Sequence, residues 1–221
     1  MTQPAENPAK PIRIDFVSDV SCPWCAVGLM SLEQALRRLD GEVLADVHFQ
    51  PFELNPEMPP EGEDIAEHLA WKYGSTPEQF AEAQTHITER GAALGFEFHM
   101  DKRRHIYNTF DAHRLLHWAG LEGRQRELKH ILLRAYFSDG DNVGDHDVLI
   151  RLAGEAGLPA ERAREILSSE EYAKETRAQE RFFIGNGIKA VPAIIINERH
   201  LISGGQPVEV FERALRELAS A

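Results

Sequence analysis

The organisation of this chain is decided by one stretch near its N-terminus, Ile12-Arg13-Ile14-Asp15-Phe16-Val17-Ser18-Asp19-Val20-Ser21-Cys22-Pro23-Trp24-Cys25. Its first six residues alternate apolar and polar side chains with β-branched enrichment, which predicts a strand. Residues 18–21 form the turn that follows. Leucines then recur at helical spacing, and the predicted helix ends near Gly41. Because proline fits only the first turn of a helix, Pro23 puts Cys22 at the helix N-terminus, directly after the strand.

The chain of 221 residues contains only two cysteines, and they lie three positions apart. A structural zinc site needs four ligands, and the chain offers neither a second cysteine pair nor a suitably placed histidine pair. Two inert thiols are the plain alternative, since free cysteine is often simply part of a core. The third interpretation is a redox pair, and the position of Cys22 at a helix start favours it. We therefore expect no metal here.

The predicted helix start has a chemical consequence for Cys22. Unpaired backbone N–H groups and the positive end of the helix dipole favour the thiolate, which is the form that attacks disulfides. We predict that Cys22 is the nucleophile and that Cys25, one turn further on, is the resolving thiol. Pro23 and Trp24 are predicted to tune the redox couple. Asp19 could raise the pKa of the thiolate, shuttle a proton or, as aspartate commonly does in turns, bond to its own backbone.

A second informative stretch lies near the C-terminus, Ala190-Val191-Pro192-Ala193-Ile194-Ile195-Ile196. Proline removes a hydrogen bond from a strand ladder, so Pro192 fits the start of a strand, where the Val191–Pro192 bond can be cis. Residues 197–200 predict a turn into a further strand, and Pro207 opens a final amphipathic helix.

The middle of the chain is predicted to be helical, because roughly 130 residues after a second strand around Val47 and Phe49 lack strand periodicity. Helix patterns begin near Asp64, Pro77, Asn108, Leu128, Asp145 and Pro159. The run Ser168-Ser169-Glu170-Glu171 matches a capping box before a helix that ends at Gly185. The basic residues at 103–104 and 124–129 are expected to form solvated surface.

Together these features resemble the DsbA branch of the thioredoxin superfamily, and three pieces resemble its FrnE-like members: Ser18 to Cys25, Asn108 to Arg114, and Val191-Pro192. The resemblance implies an α/β thioredoxin fold with a mixed sheet and a large α-helical insertion. The expected organisation is a disordered segment 1–11, a thioredoxin domain split between 12–58 and 185–221, and an insertion at 59–184. It also implies that Val191 and Pro192 bind an extended peptide or glutathione, and it gives His113 a substrate-lining role.

Composition narrows the range of partners. The net charge of −12 argues against nucleic acid, because a phosphate backbone selects a basic surface. No apolar run approaches the roughly 20 residues of a membrane span, which argues against a membrane partner. Residues 1–11 are polar and contain no hydrophobic segment of the secretory kind, so we expect a cytoplasmic protein.

The leading hypothesis is therefore a thiol–disulfide oxidoreductase or isomerase that acts on protein or peptide disulfides through Cys22 and Cys25. No tightly bound cofactor is expected, and glutathione is the candidate co-substrate. The alternative is a glutathione-dependent isomerase or transferase, similar to the hydroxychromene-carboxylate isomerases and kappa-class transferases. Those relatives typically have serine at the position of Cys22. A third hypothesis is a non-catalytic peptide-binding module that uses the groove beside Pro192.

Overall fold

The computed structural model describes residues 11–219, and most of the predicted disordered segment lies outside them. Four strands form a sheet in the order β2-β1-β5-β6. They are β1 (Ile12–Ser18), β2 (Ala45–Pro51), β5 (Ala193–Ile196) and β6 (His200–Ser203). β1 runs parallel to β2 and antiparallel to β5, so that Phe16 lies between Phe49 and Ile194. The sheet is mixed, as predicted. β1 pairs on one side with β2, from the N-terminal part of the chain, and on the other with β5, from the C-terminal part.

Two helices cover one side of the main core. They are α1 (Pro23–Arg38), which follows β1, and α9 (Val208–Ala219), which ends the described chain. Leu29 and Leu32 of α1 and Phe211 and Leu215 of α9 are fully buried in this core. The apolar stripes that predicted both helices are thus the faces that the protein buries.

The segment between β2 and β5 is largely helical. Its helices are α2 (Ile65–Tyr73), α3 (Pro77–Ala93), α4 (Phe110–Leu121), α5 (Gln125–Arg134), α6 (His146–Glu155), α7 (Ala160–Leu167) and α8 (Ala173–Gly185). Caps fix several starts: Asp64 accepts from two backbone N–H groups of α2, and Thr76 with Gln79 forms a capping box on α3. No helix within 11–219 has the length and apolar character needed to cross a bilayer.

α5 continues into a π-helical turn, Ala135–Asp139, which Gly140 closes with a φ of 80°. α8 contacts both β2 and α4, and its Phe183 packs against Val17 of the sheet. α8 therefore packs against both the sheet and the other helices between β2 and β5. The predicted domain boundaries stay predictions.

The predicted capping box at 168–171 is wrong. α8 begins only at Ala173, after Tyr172 with a φ of 61°. The hydroxyls of Ser168 and Ser169 donate instead to the carbonyl of Glu165 in α7. Glu171 contacts Arg162, which also lies in α7. The serines and Glu171 of the predicted box therefore contact the last turns of α7 and do not cap the start of α8.

A two-stranded ribbon in the middle of the chain was not predicted. It pairs β3 (Glu63–Asp64) with β4 (His105–Ile106) in antiparallel fashion. Each strand is only two residues long, which is too short for an alternating pattern to register in the sequence.

Candidate active site

Cys22 occupies the N-cap of α1, and Pro23 is the first helical residue. The N–H of Cys25 donates to the carbonyl of Cys22 at 3.0 Å, which closes the first turn. Both cysteines are free thiols and both are buried, Cys22 with 5% of its surface exposed and Cys25 with none. The first turn of α1 contains no acidic residue. The positive end of the helix therefore acts on the Cys22 sulfur without competition from a carboxylate in that turn.

The pKa values of the two thiols are shifted in opposite directions because the thiols interact with each other. The hydrogen bond from the Cys25 thiol and nearby backbone N–H groups lower the pKa of Cys22, against opposing contributions from burial and from Asp19. Burial raises the pKa of Cys25 well above its usual value, and the neighbouring Cys22 raises it further. The two shifts favour the thiolate at Cys22 over the thiolate at Cys25.

The Val191–Pro192 bond is cis. The carbonyl of Val191 accepts from the Cys22 thiol at 3.7 Å, across 169 positions of the chain. The carbonyl of Pro192 accepts from the N–H of Gly204 at 2.8 Å, so the loop before β5 is tied to the end of β6. The sheet thereby brings Val191 beside the sulfur.

Two glycines, Gly28 and Gly205, allow this close approach. A Cβ atom on Gly28 would lie 3.0 Å from the Pro192 ring, and one on Gly205 would lie 3.0 Å from the Trp24 carbonyl. The Trp24 ring contacts His86 of α3 edge-on, with 5.5 Å between centroids. A larger side chain at either glycine would therefore force Pro192 or Trp24 to shift.

Asp19 lies buried behind the two cysteines. Its carboxylate accepts from the N–H of Ser21 at 3.1 Å and from that of Leu54 at 2.7 Å, and His113 lies 3.6 Å away. Burial alone would raise the pKa of Asp19, but His113 and the two N–H donors outweigh it and the pKa is lowered. Asp19 is therefore a turn residue and a negative charge near Cys22 at the same time.

His113 lies in α4 with its side chain only 2% exposed. Its contact in this structure is Asp19, on the inner side of the dithiol. The substrate-lining role predicted for His113 stays a prediction.

The expectation that both basic stretches are solvated is wrong for two residues. Lys129 of α5 is 0% exposed. Arg103 is buried with its guanidinium 5.0 Å from the ring centres of Tyr136 and Phe137, and it donates to the carbonyl of Ser21. Lys129 shares a helix face with Leu132 and Leu133, three and four positions on, and that spacing is the signal that could have shown its burial.

Replacing Asp19 with asparagine is expected to lower the pKa of Cys22 further, because the charge of Asp19 raises it. A more stable thiolate stabilises the dithiol, so the reduction potential of the couple should become more positive. The pH dependence of thiolate absorbance and equilibration with glutathione measure the two effects. Asp40→Asn, at an exposed position, is the matched control. An unchanged or higher pKa in the Asp19 variant would contradict this assignment.

Three comparisons place this chain among known proteins. A family model described as a DSBA-like thioredoxin domain matches residues 13–216. A probable DsbA oxidoreductase from Streptomyces coelicolor is 36% identical, with a TM-score of 0.86 over 93% of this chain and 89% of that one. The Bacillus subtilis protein YwbO is 29% identical over 93% of this chain and 96% of its own. The cytosolic disulfide reductase DsbM from Pseudomonas aeruginosa, solved with GSH, is 17% identical, with a TM-score of 0.64 over 95% of this chain and 100% of that one.

Proposed function

Since this chain belongs to the family of DsbA-like thioredoxin domains, we propose that it exchanges thiols and disulfides on protein or peptide substrates through Cys22 and Cys25. The observation that carries the proposal is the position of Cys22 at the N-cap of α1, with its sulfur 3.7 Å from the Val191 carbonyl and the fully buried Cys25 one turn further on. In this proposal Cys22 supplies the attacking thiolate and Cys25 supplies the second thiol for the resolving step. The FrnE-like subtype is part of this proposal.

The proposed reaction has two steps. The Cys22 thiolate attacks one sulfur of the substrate disulfide, the substrate S–S bond breaks, and the leaving thiolate takes up a proton. Cys25 then loses its proton and attacks Cys22 of the mixed disulfide, which releases the second substrate thiol. The substrate gains two electrons and the enzyme becomes the Cys22–Cys25 disulfide. The same steps in reverse oxidise a substrate, and attack by another substrate thiol isomerises it.

The surroundings of Cys22 suit a polypeptide. Trp71 of α2 is 82% exposed, and Tyr73 of the same helix is also largely exposed. Burial raises the pKa of Tyr73, and the charge of Cys22 raises it further. Exposed aromatic side chains commonly mark a surface that binds other chains. The backbone of Val191 offers an extended segment hydrogen-bonding groups at the same point.

Glutathione is the proposed co-substrate, and a cytoplasmic setting with net reduction of substrates is the proposed direction. The support for the first part is the backbone of Val191 beside the Cys22 sulfur, which offers a short thiol-containing peptide hydrogen-bonding groups next to the reactive atom. The direction depends on the reduction potential of the Cys22–Cys25 couple relative to that of glutathione, because this difference determines whether the dithiol or the disulfide form is regenerated.

The test is to trap the mixed disulfide with Cys25→Ala. This variant is expected to accumulate a covalent adduct at Cys22 with a disulfide-containing peptide, detected by mass spectrometry, because nothing resolves it. Cys22→Ala is the matched control and should form none. A parallel reaction with oxidised glutathione compares the two substrate classes.

Absence of a peptide adduct under conditions that give a glutathione adduct would contradict the polypeptide substrate. Turnover that requires glutathione and persists in Cys25→Ala would favour the glutathione-dependent isomerase or transferase alternative, because that chemistry has no use for a second cysteine.

A further inference from the structure

The loop after β2, residues 52–55, presents two adjacent backbone amides to buried carboxylates. The N–H of Leu54 donates to Asp19 at 2.7 Å, and the N–H of Glu53 donates to Glu180 of α8 at 2.9 Å. The first bond spans 35 positions of the chain and the second spans 127. Because the two amides are neighbours, a movement of the loop that breaks one bond also strains the other.

Arg177 of α8 binds the acidic side chains on both sides of this contact. Its Nη1 donates to the carboxylates of Glu53 and Glu180, the latter at 2.9 Å. The guanidinium lies over the ring of Phe110, the first residue of α4, at 3.7 Å from the ring centre. The Glu53 side chain is only 1% exposed, and its Oε1 has no hydrogen-bond partner among residues 11–219. Arg177 is therefore the cation that pairs with an otherwise poorly satisfied buried carboxylate.

The energetics of this pair depend strongly on Arg177. Two carboxylates buried side by side are unfavourable unless a cation pairs with them. Burial raises the pKa of Glu53 to about 7, against the effect of Arg177. The charges of Glu180 and Asp19 act in the same direction as burial. Without Arg177 we expect the loop to move so that Glu53 reaches water, and the N–H of Leu54 would then leave Asp19.

Asp19 connects the loop to the nucleophile. Its main-chain carbonyl accepts from the N–H of Cys22 at 3.4 Å, and its carboxylate accepts from the N–H of Ser21 at 3.1 Å. The hydrogen bond from Cys25 lowers the pKa of Cys22, and the charge of Asp19 opposes that effect. The N–H of Leu54 binds this same charge, so its loss would leave Cys22 beside a less compensated carboxylate.

We propose that Arg177 is a positioning residue for thiol exchange: by pairing with Glu53, it fixes the N–H of Leu54 on the carboxylate beside Cys22. The role rests on the exchange function proposed above, because it matters for catalysis only if Cys22 is the attacking group. Arg177 acts through the loop and takes no part in the bond changes at sulfur.

The test begins with Arg177→Met, which keeps an unbranched side chain and removes the cation. The pKa of the Asp19 carboxyl, followed by its carbon chemical shift in NMR, is expected to rise by about one unit, because one donor to the carboxylate is lost. The pKa of Cys22, followed by thiolate absorbance, is expected to rise as well. Arg181→Met, at an exposed position of the same helix, is the matched control and should change neither value.

The decisive comparison is the same substitution in an Asp19→Asn background. There Arg177→Met should leave the pKa of Cys22 unchanged, since the carboxylate through which it acts is gone. A general disturbance of the fold would instead shift this pKa in both backgrounds. An equal shift with and without Asp19 would overturn the proposal, as would an unchanged pKa of Asp19 in Arg177→Met.

A second substitution tests whether the unpaired charge is the cause. Arg177→Met combined with Glu53→Gln removes the buried charge together with its cation, so the loop has no reason to move. This double variant is expected to return the pKa of Asp19 to its wild-type value. A pKa as high as in Arg177→Met alone would contradict the pairing as the origin of the effect.

A measurement on the unaltered protein keeps the proposal testable if these variants do not fold. The amides of Glu53 and Leu54 are expected to exchange with solvent at least about 100-fold more slowly than a free loop amide. Exchange of the Leu54 amide at the free rate would overturn the proposal. If Cys22 forms no mixed disulfide with any peptide, the exchange function itself fails. If exchange proceeds and the pKa of Asp19 does not respond to Arg177, this inference alone fails.

Discussion

Cys22→Ala is expected to abolish disulfide exchange, with a loss of about 10³-fold or more in turnover of a peptide disulfide. Cys25 cannot take over as nucleophile, because it is fully buried and burial holds its pKa well above the usual value. The measurement is the initial rate of reduction of a disulfide-linked peptide at fixed pH. Melting temperature and near-ultraviolet circular dichroism check that the fold is retained.

The same experiment in the wild type has a predictable pH dependence. The rate should rise with pH as the Cys22 thiolate forms and then level off, with a midpoint below that of an ordinary cysteine, because the Cys25 hydrogen bond lowers this pKa. Cys22→Ser, which has the closest shape, should be as inactive as the alanine variant. Retention of a tenth of the wild-type rate in either variant would mean that another group is the nucleophile.

Arg114→Met is expected to cause the largest loss of stability, about 3–5 kcal/mol in the free energy of unfolding. The guanidinium is buried in α4, and its side chain is 4% exposed. It donates to the backbone carbonyls of Ile166, Ser169 and Glu171 and forms an ion pair with Asp111 at 2.7 Å. Methionine would remove the donor to the carbonyls of Ser169 and Glu171 at the junction of α7 and α8, while the Ile166 carbonyl would keep the N–H and hydroxyl of Ser169.

Denaturant unfolding measures this cost, and a decrease of about 10 °C in melting temperature should accompany it. Arg124→Met is the control, since Arg124 is 51% exposed and only pairs with Glu127 on the surface. Its expected cost is below about 1 kcal/mol. Equal effects of the two substitutions would show that the buried contacts of Arg114 contribute little.

The parts of the fold that were predicted correctly depend on local patterns. A strand, a turn and a proline in the first turn of a helix are adjacent in the chain, so residues 12–38 could be assigned without knowing their neighbours. Asp64 and Thr76 begin helices by bonding to backbone groups two or three positions away. Such interactions are complete within one segment of sequence.

The errors concern residues whose roles are decided by distant segments. Lys129 and Arg103 belong to residue types that usually lie at the surface, yet both are buried in the folded chain. Ser169 was predicted to cap α8 because the box pattern is local, but the end of α7 competes for its hydroxyl. His113 was noticed through resemblance, while its proximity to Asp19 depends on how α4 packs against the turn after β1.

The central position of β1 has a consequence for translation. Cys22 leaves the peptidyl-transfer centre 169 positions before Val191, which at ordinary elongation rates is an interval of roughly 10–30 s. During that interval the nascent chain carries a nucleophilic cysteine without the strand that pairs with β1 or the loop that meets the sulfur. A ribosome-bound fragment that stops before β5 therefore lacks both the strand that pairs with β1 and the Val191 carbonyl that meets the Cys22 sulfur.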